Sequence, residues 1–154
     1  MRFSVGETAA LTAPDAQPAA AGPGGERIVG HGLDLVDIDR FAAFIERHAE
    51  RAVPRLFTEA EADYARANPK RRIEHLAARF AAKEAALKAL GTGWARGIAW
   101  TDVEVCRDAA GRPTLRLSGR AGEIAAERGI ARIEISLTHT PAFAAASAIA
   151  VAAS

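Results

Sequence analysis

Between Arg107 and Pro113 the chain has five residues in which to turn, and between Thr138 and Phe143 it has four. The stretches on either side, Ile98–Arg107 with Pro113–Leu117 and Ala131–Thr138 with Phe143–Val151, read as strands. A parallel pair needs a crossover of about a dozen residues or more, so both pairs must be antiparallel hairpins. They turn at Asp108-Ala-Ala-Gly111 and His139-Thr-Pro141. A short helix, Arg120–Arg128, closed by Gly129, lies between them. The second half is therefore mostly antiparallel β, and with the helices of the first half the class is α+β.

The first half opens with residues 27–38, whose near-alternating side chains predict a strand. Asp39 caps a helix running to about Glu50, with Phe41, Phe44, Ile45 and His48 at helical spacing, and Pro54 ends it. Thr58 and Glu61 form a Thr-x-x-Glu capping box that opens a short helix through Ala67. The strongest helix follows, about Arg71 to Leu90, stopped by Gly91-Thr-Gly93. Residues 1–26, rich in Ala, Gly, Pro and Thr without a basic and then apolar leader, read as a flexible N-terminal extension to a single domain over 27–154.

Composition removes several functions. A net charge of +1 argues against bulk capture of nucleic acid or an anionic membrane, so an acidic partner must be met by a local basic face. No apolar run approaches the length of a bilayer span. The single cysteine, Cys106, excludes an intrachain disulfide and a thiolate zinc cluster, and fits a reducing cytoplasm.

Two carboxylates stand in costly places. Alternation puts Asp34 on one strand face with Ile28, Val36 and Ile38, where an anion is expensive unless something positive meets it. Gly30 and Gly32 on the same face leave bare backbone, room for a ligand to come close. On the long helix, Ile73, Leu76, Phe80 and Leu87 form one stripe, and Glu84 lies only about 40° from Phe80. Asp34 is either a ligand or a hydrogen-bonded strand-edge residue. Glu84 is either a ligand or half of an ordinary pair with Lys88, one turn on. Two carboxylates make a poor cage for calcium but a sensible half-site for Mg2+, which keeps waters and takes phosphate oxygens. Arg79, Lys83 and Lys88 would suit a phosphate ligand alongside it. No Walker loop, dinucleotide fingerprint or His-Glu-x-x-His site is present.

Four blocks stand in order: Gly30-His-Gly-Leu-Asp34-Leu-Val-Asp-Ile38, Leu56-Phe-Thr58-x-x-Glu61, Arg79-Phe-Ala-Ala-Lys83-Glu84-Ala-Ala-Leu-Lys88-Ala-Leu-Gly-Thr-Gly93, and Ser136-Leu-Thr-His139. Together they resemble the short bacterial holo-acyl-carrier-protein synthases of the 4′-phosphopantetheinyl transferase superfamily, over about residues 27–152. The resemblance implies a single α+β domain with an antiparallel sheet packed on a long helix, trimeric, with sites between subunits. It implies an Mg2+-dependent enzyme that moves 4′-phosphopantetheine from coenzyme A to a serine of an acyl carrier protein, releasing adenosine 3′,5′-bisphosphate.

By the same resemblance Asp34 and Glu84 hold the metal and, with Lys88, form the catalytic set. Arg79, Lys88 and His139 grip the coenzyme A phosphates and nucleotide end, Gly91 and Pro113 fall in segments lining that cleft, and Lys83 lies nearby. Arg40, Arg47 and Arg51 on the first helix are the docking residues for an acidic carrier protein, or else solvated arginines. Trp94, Trp100 and the Ala-rich last strand are candidates for the surface between subunits. His31, where the family has an apolar residue, points away from Asp34. The competing readings are a nucleotide pyrophosphohydrolase, which would need more carboxylates near Glu84, and a catalytically silent trimeric scaffold.

Overall fold

The computed structural model describes residues 25–93 and 97–153. The N-terminal extension, apart from Gly25 and Glu26, and Trp94 lie outside the described residues. Strand β1 (Arg27–Asp37) leads into helix α1 (Ile38–Leu56), then α2 (Glu59–Arg66) and, after a 3-10 turn, α3 (Arg72–Ala89). A second 3-10 turn precedes the hairpin β2 (Val103–Arg107) and β3 (Pro113–Leu117); α4 (Gly119–Glu127) and the hairpin β4 (Ile130–His139) and β5 (Phe143–Ala152) complete the chain. Both hairpins are antiparallel, as the short turns require. β5 also pairs antiparallel with β1, giving a three-stranded sheet in the order β1-β5-β4 beside the separate β2-β3 ribbon.

Helix α3 packs across this sheet on an alanine face. Ala81, Ala82, Ala85, Ala86 and Ala89 are buried against Ala146, Ala148 and Ala150 of β5, so helix and sheet approach closely. A second cluster under α1 joins Phe41, Ile45, Leu56 and Phe57 to Leu76 and Ala77 of α3. α3 is thus buried on far more of its circumference than the Ile73-Leu76-Phe80-Leu87 stripe predicts, and even Arg79 and Lys83 lie inside. The opposite face of β1 carries Leu33 and Leu35, both more than half exposed.

Local chemistry set several boundaries. The capping box at Thr58 and Glu61 forms with both of its hydrogen bonds. Helix α1 starts two residues earlier than expected: Asp37, not Asp39, is its cap, accepting from the Arg40 N–H at 2.9 Å. The break in α1 falls at His48 (φ −133°), and Pro54 sits inside the segment beyond it rather than ending the helix. Proline removes one amide donor, a loss that a short terminal segment tolerates. Trp100 is half-buried, its ring 5.1 Å from that of Phe80, so it is part of the packing and not an exposed apolar face. Among the described residues no helix is long and apolar enough to cross a membrane.

Candidate active site

The glycines of β1 set the geometry of the first cleft. A Cβ on Gly30 would lie 2.0 Å from the carbonyl oxygen of Ala89, and one on Gly32 1.9 Å from that of Ala85. The bare backbone expected to admit a ligand is therefore filled by α3, and only glycine permits this contact. Two residues along the same face, Asp34 meets the last turns of α3. Lys88 Nζ donates to Asp34 Oδ1 and to the Leu33 carbonyl, each at 2.8 Å.

Asp34 and Glu84 both line an open cavity of about 540 Å³ with Arg40, Phe41, Phe44, Phe80 and Phe143. Burial raises the pKa of the Glu84 carboxyl, and the negative charge of Asp34 raises it further, partly offset by Lys88. A Glu84 anion is disfavoured by burial and by the neighbouring Asp34 charge, which calls for additional positive charge in this cavity. Among the described residues no cluster of three or more His, Cys, Asp or Glu side chains gathers to hold a metal. Asp34 and Glu84, two carboxylates lining one open cavity, would suit Mg2+, which takes few protein oxygens and keeps waters.

A second cleft, about 420 Å³, lies on another face of α3 and shares no lining residue with the first. It collects Arg79, Pro113 and His139 with Tyr64, Arg71, His75, Cys106 and Arg107. Arg71 reaches the His139 ring and also pairs with Glu74 at 3.0 Å. Burial lowers the pKa of His75, and the charges of Arg79, Arg71 and Arg107 lower it further. Arg79 is 6% exposed and its Nε has no partner, as has Nδ1 of His75. A buried guanidinium N–H without an acceptor, in a cleft with two further arginines, is built for an anion.

Lys83 and Gly91 do not belong to either cleft. Lys83 is fully buried, 2.8 Å from Glu61 and 3.0 Å from the Trp100 carbonyl, so it ties α3 to α2 instead of reaching a phosphate. Glu61 also accepts from the Val105 N–H at 3.0 Å, which locks the ribbon to the same point. Gly91 (φ +69°) ends α3 beneath Arg128, whose guanidinium bonds the Leu90 carbonyl. Arg40, Arg47 and Arg51 are all exposed; Arg40 also lines the first cleft, and Arg51 lies past the break at His48. Tyr64, His75 and Arg107 were not legible as site residues, because only the fold brings α2, α3 and β2 to one cleft.

With this geometry in place, comparison with known proteins gives the family. The model of the 4′-phosphopantetheinyl transferase superfamily matches residues 30–148. The chain belongs to the 4′-phosphopantetheinyl transferase superfamily. It is a transferase of the short holo-acyl-carrier-protein synthase type. A holo-acyl-carrier-protein synthase of Desulforudis audaxviator is 48% identical over 124 residues, 80% of this chain and 93% of that protein. An acyl carrier protein synthase of Plasmodium yoelii with ADP bound superposes with a TM-score of 0.77 at 28% identity, covering 85% of this chain and all of that one. The Helicobacter pylori holo-acyl-carrier-protein synthase in complex with coenzyme A gives 0.67 at 26% identity, over 80% of this chain and 99% of that one.

Proposed function

We infer that this transferase moves 4′-phosphopantetheine from coenzyme A onto a serine hydroxyl of an apo acyl carrier protein and releases adenosine 3′,5′-bisphosphate, with Mg2+ held by Asp34 and Glu84. The observation that carries the reading is the convergence of those two carboxylates, from β1 and α3, on one open cavity beside Lys88. Relatives solved with coenzyme A and with ADP support a nucleotide-bearing co-substrate.

Asp34 and Glu84 supply the oxygen ligands, and Lys88 holds Asp34 in place while presenting a cation to the diphosphate. A bound Mg2+ would neutralise charge on the diphosphate as the serine oxygen adds and the bisphosphate departs. Arg79 and His139 hold the nucleotide end, with Pro113 lining the same cleft. Because that cleft and the carboxylate cleft share no residue, a cofactor touching both is best served by neighbouring copies. This and the exposed Leu33 and Leu35 support a homotrimer with sites between subunits. Arg40, exposed and lining the carboxylate cleft, and the exposed Arg47 and Arg51 farther along α1 are the docking residues for an acidic carrier protein. The half-buried free thiol of Cys106 suits a reducing compartment, and we assign the reaction to the cytoplasm.

The test mixes the protein with apo carrier protein, coenzyme A and Mg2+ and weighs the carrier. A phosphopantetheine mass increment is expected from the wild type, and none from Asp34→Ala or Glu84→Ala, both folded by circular dichroism. Full transfer by either variant refutes the metal assignment, and no transfer by the wild type refutes the activity.

A further inference from the structure

Tyr64 stands at the centre of the basic cleft and has no place in the chemistry described so far. The Arg79 guanidinium lies 3.9 Å from the centroid of its ring and that of Arg107 lies 4.8 Å from it. The imidazole of His75 is 5.1 Å away, centroid to centroid. Three separate elements are involved: α2 supplies the ring, α3 supplies Arg79 and His75, and the end of β2 supplies Arg107. Among the described residues neither Arg79 nor Arg107 forms an ion pair with a carboxylate.

Two unpaired guanidiniums beside one ring repel each other, and something must hold them together in the absence of an anion. The face of an aromatic ring is electron-rich and attracts cations, so the tyrosine offsets part of that repulsion. Arg79 also donates to the His75 carbonyl at 3.3 Å, and its Nε–H is buried without an acceptor. A ligand group with several acceptor oxygens and more than one negative charge, such as a phosphate monoester, would meet both guanidiniums at once.

We propose that Tyr64 is a positioning residue, which holds Arg79 and Arg107 as a pair on a phosphate at the nucleotide end of coenzyme A, and that Arg107 is a direct contact to that phosphate. This rests on the transferase reading, and deepens it by naming what sets affinity for the co-substrate. Tyr64 touches the arginines and not the reacting atoms, so its removal shows in binding of the nucleotide and not in docking of the carrier protein.

The experiment measures binding of adenosine 3′,5′-bisphosphate by calorimetry, with KM for coenzyme A and for the carrier protein, in four proteins: wild type, Tyr64→Phe, Tyr64→Leu and Arg107→Gln. Tyr64→Leu raises the bisphosphate Kd and the coenzyme A KM about tenfold, whereas Tyr64→Phe, which keeps the ring, stays within about twofold. Arg107→Gln, at an exposed position where folding is not at risk, gives a rise of similar size. KM for the carrier protein is unchanged throughout. A leucine variant that binds the bisphosphate as the wild type does, or a rise in the carrier KM of equal size, overturns the role of Tyr64 and leaves the transferase reading standing. A wild type that neither binds the bisphosphate nor transfers sinks both.

Discussion

A single methyl group at Gly32 tests how the strand aspartate comes to meet the helix. The added Cβ would lie 1.9 Å from the Ala85 carbonyl oxygen, against the 3.4 Å at which ordinary contact begins, so β1 and α3 must part by about 1.5 Å. The carbon of that carbonyl and the Ala89 nitrogen, at 2.8 and 2.9 Å, block sideways escape, and all three are backbone atoms that cannot rotate away. Overpacking of this kind costs about 1–3 kcal/mol, and rigid backbone on both sides puts it at the top of that range. For a domain of this size, about 3 kcal/mol lowers Tm by roughly 6–12 °C. Asp34 is two residues away on the same face and moves with the strand, and a displacement near 1 Å in a catalytic group costs about a hundredfold in rate. We therefore expect Gly32→Ala to fold with a lowered Tm and to lose about two orders of magnitude in kcat for pantetheine transfer. Gly122→Ala is the control. It sits inside α4 with its nearest neighbour, the Leu117 carbonyl oxygen, at 3.5 Å, so it should gain about 0.5–1 kcal/mol from helix propensity. Circular dichroism melts and a carrier-mass assay read both effects. If Gly32→Ala melts and transfers as the wild type does, the close helix–strand approach does not position Asp34.

Three further outcomes follow from the same structure. Lys83→Met leaves Glu61 buried without its cation and should cost about 3–5 kcal/mol in urea unfolding, and adding Glu61→Leu should not restore it, because the Thr58 and Val105 N–H groups then lose their acceptor; a single variant as stable as the wild type would show the pair to be dispensable. Burial and Asp34 raise the pKa of Glu84, so it holds its proton to higher pH than an ordinary glutamate, and Mg2+ must compete with that proton. Mg2+ affinity, titrated calorimetrically with coenzyme A present, should weaken as pH falls through that raised range, and an affinity that does not change with pH would refute the role of Glu84. Arg40→Glu should raise KM for the carrier protein roughly tenfold and flatten its salt dependence while KM for coenzyme A holds; an unchanged carrier KM would move the docking face elsewhere.

Much of the fold was legible because it depends on spacing along the chain. Turns of four and five residues forced both hairpins, and Thr58 with Glu61 announced the start of α2. The alternation that set Asp34 on the face of Gly30 and Gly32 was local too. What that face packs against was not, since a missing side chain does not say whether ligand or helix fills the gap. Lys83 was misplaced for a similar reason: its partner Glu61 lies 22 residues upstream, and helical spacing alone suggests a solvated lysine beside Glu84. The alanines of α3 carry little hydrophobic signal, yet their small size permits the close approach to β5. The basic cleft was half visible through Arg79, Pro113 and His139, whereas Tyr64, His75 and Arg107 are joined to it only by tertiary contacts.

The central claim, that Asp34 and Glu84 together hold one cation on the cofactor's diphosphate, is met most directly by electron–nuclear double resonance on Mn2+ bound to the protein with coenzyme A. Phosphorus coupling at a tightly bound ion is predicted for the wild type, with loss of the bound ion in both Asp34→Asn and Glu84→Gln. A variant lacking either carboxylate that retains the ion, with its phosphorus coupling intact, would contradict the claim.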